Sequence, residues 1–416
     1  MPEARGSVRL IGGVVLAQIC GMLGSATFAS TLTELAHLWR LDSTHAGWIS
    51  GAYFLGYSLA VPILVALTDR FDPRRIYLAG CMVGALAGVG FSHFANGLWS
   101  ATLFQGLAGV GVGATYMPGL RILTTRLGER ARIRAVPYYT TTFAVGSSAS
   151  YLLSGWMAAR HGWRVAFLAA AAGPLVAALL SAVATWKTAP LELEIRLRRH
   201  PLDLRPVLRN WQAMSYVLAY GGHCWEMFAF RAWLPTFLLF AWHYSGRASA
   251  SLPVARWSML IVLVGVPASI LGAESANSET RSRNIRRFQL ASIALCLGGV
   301  ASIGYSLGLT LAALLAYNFA IAADSGALTA GAVVSSRPED QGATLAVYSL
   351  VGFIGAGTGP LIAGLALDAS GGFQSLHAWY FGFSAMGIGS ALAASAITLH
   401  PMMPTEQGRP ALRPHA

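Results

Sequence analysis

Polar and apolar positions are segregated along this chain into long blocks. Counting only Asp, Glu, Lys and Arg, charge-free runs cover 10–33, 43–68, 76–120, 135–159, 165–186, 288–323, 341–367 and 369–405. A helix that crosses a bilayer needs about 20 apolar residues, so the shorter runs supply one helix each and the longest fold back on themselves. Asn96-Gly97 divides 76–120, and Leu307-Gly308-Leu309 divides 288–323. Charge gaps and turn residues together predict twelve spans, near 9–33, 46–68, 76–95, 98–121, 135–158, 164–186, 211–241, 252–273, 288–306, 309–334, 343–366 and 377–399. The expected fold is an all-α membrane protein with its twelve transmembrane helices in two pseudo-symmetric six-helix bundles. Residues 1–186 form the first bundle and 209–400 the second; 187–208 is a charged, proline-rich linker and 401–416 a tail.

Composition agrees: 55% of residues are hydrophobic and 11% charged, against about 25% charged in a soluble domain. The net charge of +12 invites a nucleic-acid partner, but its placement argues against one. Of the 29 Lys and Arg, 23 fall in the N-terminus, alternate loops, the linker and the tail. That is the positive-inside bias, and it places both termini in the cytoplasm. The strong preference for Arg over Lys points to a GC-rich bacterium, hence to a multi-pass protein of the inner membrane, expected as a monomer with the lipid bilayer as its main partner. The stretch Val8–Leu32 is longer than the apolar core of a signal peptide and reads as an uncleaved first span.

No cofactor or metal is expected. Cys20, Cys81, Cys224 and Cys296 all lie in predicted spans, without disulfide or metal-ligand spacing. No Ser-His-Asp or Cys-His arrangement shares a membrane face. Gly109-Val110-Gly111-Val112-Gly113 sits inside a span with no strand before it, so it is not a dinucleotide loop. An enzyme is therefore not expected.

The halves repeat one another. Gly146 and Gly155 in the fifth span match Gly355 and Gly364 in the eleventh at the same spacing. Trp163-Arg164-Val165-Ala166-Phe167 follows the first pair and Trp379-Tyr380-Phe381-Gly382-Phe383 the second. The second and eighth spans both end in charged loops, 69–75 and 274–287. Duplicated halves of this kind occur in transporters.

With these features the chain resembles the major facilitator superfamily of secondary transporters over nearly its whole length. The best local match is Asp69-Arg70-Phe71-Asp72-Pro73-Arg74-Arg75, where Asp69, Arg70, Arg74 and Arg75 fit the family's loop between the second and third spans with one residue inserted. The resemblance implies that these four residues latch the bundles in one conformation, and that the first, fourth, seventh and tenth spans line a central cavity. Gln105-Gly106 matches part of a second family motif, with Thr102 where the family has an arginine. The fifth span lacks the Gly-Pro pair associated with drug–proton antiport and reads Gly146-Ser147-Ser148-Ala149-Ser150.

Polar groups within spans fall on those same helices: Gln18, Gln105, Thr115, Tyr116, His223, Glu226, Arg231 and Asp324. Ionisable groups at bilayer depth are costly and face partners or water-filled paths. Three of them lie in the stretch His223-Cys224-Trp225-Glu226-Met227-Phe228-Ala229-Phe230-Arg231. At about 100° per residue, His223 and Glu226 share a helix face, whereas Arg231 lies about 140° from Glu226. Arg231 is expected to find its counter-charge in Asp324, in a substrate anion or in water. Gly221-Gly222 and Pro235 flank the cluster and allow a break in the helix, of the kind that forms binding sites in transporters.

The expected substrate-binding residues are Arg231, Gln18, Tyr116 and Trp225, and the proton-coupling residues Glu226, Asp324 and His223. The family resemblance implies secondary transport of a small polar solute by alternating access, with an organic anion and protons as the leading pairing. Efflux of amphipathic compounds by the same fold, and a receptor that has lost transport, are the alternatives.

Overall fold

A backbone within hydrocarbon must satisfy its polar groups internally, and the apolar runs accordingly fold as helix. The computed structural model describes residues 2–68, 70–186, 205–247, 251–277, 279–338 and 340–399, with no strand among them. The linker 187–204, the tail from 400 onward and Asp69 lie outside the described residues. The first half comprises α1 (Pro2–Gly21), α2 (Thr27–Trp39), α3 (Ser43–Leu67), α4 (Pro73–Phe94), α5 (Leu98–Arg126), α6 (Glu129–His161) and α7 (Trp163–Thr185). A short helix, α8 (Arg205–Arg209), precedes the second half. That half comprises α9 (Trp211–Tyr244), α10 (Ser251–Leu263), α11 (Gly265–Glu274), α12 (Arg281–Ala301), a 3-10 turn (Ser302–Gly304), α13 (Leu307–Ala323), α14 (Ser325–Val334), α15 (Gln341–Ala369) and α16 (Leu376–Leu399).

The pairs α1–α2, α10–α11 and α13–α14 are rods with a break, so the described residues form twelve long rods. Eight are long and apolar enough to cross a membrane. Helices α5, α6 and α9 are as long, at 29, 33 and 34 residues, and carry polar and aromatic residues of the site. We call the face where α1 begins proximal, and the face where α3 begins distal.

Breaks in the rods are compensated from neighbouring helices. Between α1 and α2, the Ser150 hydroxyl of α6 donates to the Leu23 carbonyl at 2.6 Å and accepts from the Ala26 N–H at 3.0 Å. Thr27 Oγ1 and Ser154 Oγ lie 2.8 Å apart beside it. Helix α9 does not use the break that its sequence allows: it runs unbroken from Trp211 to Tyr244. Its glycines serve close approach instead. A Cβ on Gly222 would collide with the Gly389 carbonyl of α16, and the Gly221 carbonyl would collide with a Cβ on Gly355 of α15.

The two halves meet where α3 packs on α15, α6 on α10 and α2 on α9. The repeated glycines explain two of these seams. Gly146 abuts Met22 at the break in the first rod of its own half, and Gly355 abuts Gly221 on the first rod of its own half. Gly155 abuts Ala255 on α10, and Gly364 abuts Ser43 on α3. In each half the second glycine therefore faces the second rod of the opposite half, and a Cβ at any of the four would collide. The internal repeat is thus a repeat of contacts.

Candidate functional site

Helix α9 carries the ionisable cluster and presents two faces. Toward the interior of the second half, His223 Nδ1 lies 2.6 Å from Asp324 Oδ1. Asp324 sits at the break between α13 and α14, and Gln289 of α12 donates to its Oδ2 at 3.1 Å. Three residues further along α9, Glu226 accepts from the Tyr317 hydroxyl at 2.9 Å and from the Ser390 hydroxyl of α16. All six side chains are buried. A charge in such surroundings persists because partners replace its water.

Arg231 turns the other way. It borders a cleft between the halves, with Ser25, Ala26, Phe28, Ala29, Ser50, Tyr53, Phe54, Gln105, Phe143, Ser147, Tyr151, Phe228 and Ala232. The residue is 8% exposed, its Nε has no hydrogen-bond partner, and no carboxylate among the described residues pairs with it. The guanidinium carbon lies 5.7 Å from the Phe228 ring centre, a cation–π contact that offsets only part of the desolvation cost. A planar cation held ready in a cleft suits a carboxylate or another oxyanion.

Arg231 and Asp324 are not a pair. Eight residues of helix, about 12 Å of rise, separate Arg231 from His223, and Asp324 lies at the level of His223, which claims it. His223 and Glu226 share a face, and that face is the bundle interior.

The other expected residues are placed as follows. Gln18 is buried between α1 and α6, its Oε1 3.1 Å from the Tyr139 hydroxyl, which donates to the Tyr116 carbonyl at 2.8 Å. The Tyr116 ring lies 5.5 Å from that of Tyr139 and 6.0 Å from that of Phe143. Trp225 donates from Nε1 to the Ala385 carbonyl at 3.0 Å, so its indole packs on α16 and is not part of the cleft lining. In the loop before α4, Asp72 caps the helix by accepting from the Arg74 N–H at 2.9 Å and accepts from Arg126 Nη2 at 2.9 and 2.7 Å. This ties the loop to α5 of the same half. Arg70 and Arg75 are exposed and Arg74 is half-buried.

An aromatic layer forms the proximal wall of the cleft and continues beyond it. Phe54 and Phe228 are 4.3 Å apart, Tyr57 stacks on Phe353 at 3.9 Å, and Phe143 meets Phe228 edge-on at 6.1 Å. On the distal side, the Asp368 carboxylate at the end of α15 accepts from the Ser43 N–H at 2.9 Å and from the N–H and hydroxyl of Thr44, each at 2.6 Å. Tyr151 of α6 donates to the Arg231 carbonyl at 2.6 Å. The sequence reading missed Tyr151, Asp368, Gln289, Tyr317 and Ser390. For Tyr151 a signal was present: Pro235 removes the N–H that would bond the carbonyl four residues back.

Similar proteins bear on this arrangement. An uncharacterised MFS-type transporter of Mycobacterium tuberculosis is 33% identical over 150 residues, 35% of this chain and 25% of that protein. A galacturonate transporter of Dickeya chrysanthemi is 24% identical over 170 residues, 41% of this chain and 49% of that protein. The chain thus spans a quarter to half of the length of these relatives. A crystal structure of a bacterial homologue of the human lysosomal transporter spinster, inward-facing and occupied, superposes with a TM-score of 0.77 at 16% identity and covers 97% of each chain; it shares the fold. The family model for the Major Facilitator Superfamily matches residues 14–360. With its apolar rods, the chain is a multi-pass membrane protein, and it belongs to the major facilitator superfamily.

Proposed function

We propose that this chain carries a small organic anion across a bacterial inner membrane, coupled to protons, by alternating access between its two halves. The observation that carries the reading is Arg231, a buried guanidinium without an acidic partner in the cleft between the halves. The substrate's carboxylate would take the place left open beside it. Gln105, Ser25 and Ser147 supply neutral hydrogen-bonding groups on the opposite wall. The relative that transports galacturonate, itself a carboxylate, is consistent with this chemistry.

Glu226, with His223 and Asp324, is the proton-handling set. These groups lie behind α9, away from the cleft, so the substrate and the proton would use opposite faces of one helix. The distal contacts and the proximal aromatic layer are the two closures that alternate. The Asp69, Arg70, Arg74 and Arg75 latch acts on the proximal side, with Asp72 and Arg126 holding its loop. The protein works as a monomer with both termini in the cytoplasm.

Proteoliposome uptake of galacturonate, lactate and benzoate under an imposed pH gradient tests this. Wild type accumulates at least one of these anions. Glu226→Gln retains exchange but loses gradient-driven accumulation, and Arg231→Gln loses both. Gradient-driven uptake unchanged in Glu226→Gln would remove that residue from coupling.

The six aromatic residues of the cleft, Phe28, Tyr53, Phe54, Phe143, Tyr151 and Phe228, favour a second reading, efflux of amphipathic compounds. Drug accumulation in cells with and without the protein separates it from the first.

A further inference from the structure

Helix α9 leaves one backbone carbonyl, that of Arg231, without a donor from its own helix. In an α-helix the N–H of each residue donates to the carbonyl four positions back. Pro235 has no N–H, so the Arg231 carbonyl loses its helical donor. A buried carbonyl left this way costs free energy unless another donor reaches it. The donor comes from the opposite half of the molecule: the hydroxyl of Tyr151 on α6, at 2.6 Å. Tyr151 is buried and its side chain also lines the cleft.

The second polar clasp on the distal side follows the same rule. Ser43 and Thr44 open α3, and the first N–H groups of a helix have no partner within it. Asp368 of the other half accepts from both. Each clasp caps a backbone group that its own helix leaves free. Such groups can turn to water when the halves part, so each clasp is reversible.

We propose that Tyr151 is a positioning residue that couples occupancy of Arg231 to closure of the distal face. The inference rests on the reading of Arg231 as the anion site. One residue carries both the guanidinium that meets the anion and the carbonyl that meets the opposite half. An anion bridging Arg231 to the wall formed by Gln105 and Ser147 holds the halves at the spacing at which Tyr151 reaches the carbonyl. Opening the distal face breaks that bond and releases this segment of α9. Linkage makes the effect reciprocal: closure tightens anion binding, and anion binding favours closure.

The test uses the full-length protein in proteoliposomes, with a cysteine introduced at Ser50, which lines the cleft and is buried. A membrane-impermeant maleimide applied from the distal side reports opening. Without ligand, Tyr151→Phe labels about threefold to tenfold faster than the parent, the range expected for one neutral hydrogen bond. Pro235→Ala restores the backbone donor, so on that background Tyr151→Phe has little further effect, a non-additive cycle. Equal effects of Tyr151→Phe with and without Pro235, or no effect at all, would overturn the proposal, because a packing role for the ring gives one or the other. Galacturonate, lactate or benzoate protects the parent from labelling, and Tyr151→Phe raises the concentration needed. Protection that is unchanged in Tyr151→Phe, or absent for all three anions in the parent, overturns the coupling. Protection that survives Arg231→Gln overturns the anion site itself and leaves the ligand-free cycle to decide the clasp.

Discussion

The two faces of α9 hold buried charge in opposite ways. On the interior face His223 and Asp324 are 2.6 Å apart, and Glu226 accepts from Tyr317 and Ser390. On the cleft face Arg231, also buried, has no carboxylate partner among the described residues. Removing two charges from water is expensive even when they pair; leaving one unpaired costs more. A fold tolerates the second arrangement where a ligand completes it. The difference therefore separates ionisable groups that face one another inside a bundle from one that faces the cleft between the halves.

Substitutions on each face can break this comparison. The largest effect is expected from Asp324→Ala, which strands His223 and Gln289 in the bundle interior. Breaking one side of a buried pair costs about 3–5 kcal/mol, so the purified variant should unfold at clearly lower temperature. If it melts with wild type, the interior pair is not structural. On the cleft face, Arg231→Gln removes a cation that no carboxylate among the described residues neutralises; its melting temperature without ligand should equal or exceed that of wild type. A loss as large as that of Asp324→Ala would mean that Arg231 has a structural partner after all. The smallest effect belongs to Asp368→Ala. It removes a carboxylate from the start of α3, where such caps contribute about 0.5–2 kcal/mol. Its consequence should be faster distal labelling of a cysteine at Ser50, with little change in melting. Unchanged labelling would remove Asp368 from the distal closure.

Much of the architecture was legible from the chain because charge is so costly in hydrocarbon that its spacing outlines the helices. Helical angle alone separated Arg231 from Glu226, and the repeated glycines showed that the halves repeat, though not that they form seams. Other features depended on which helices meet. Nothing local in the sequence says that Gly221 and Gly222 pack on α15 and α16 and leave α9 unbroken. The pairing of Asp324 with His223 rather than Arg231 is decided by height along the helix axis, and that is fixed only when α13 and α14 are docked. Trp225 turns to Ala385 because α16 passes on that side. Asp368 is the penultimate residue of its helix, where an acid looks like a surface group until α3 is placed against it. Tyr151 was readable in part, since Pro235 announces a carbonyl in need of a donor, but the identity of the donor is a tertiary fact.

Direct titration of purified protein with galacturonate, lactate and benzoate, in wild type and Arg231→Gln, tests the central claim. The account predicts saturable binding of at least one anion to wild type. It predicts a loss of about 2 kcal/mol or more in Arg231→Gln, roughly thirtyfold in affinity, the scale for truncating one partner of a buried charged contact. Anion binding of equal strength in both proteins would contradict it.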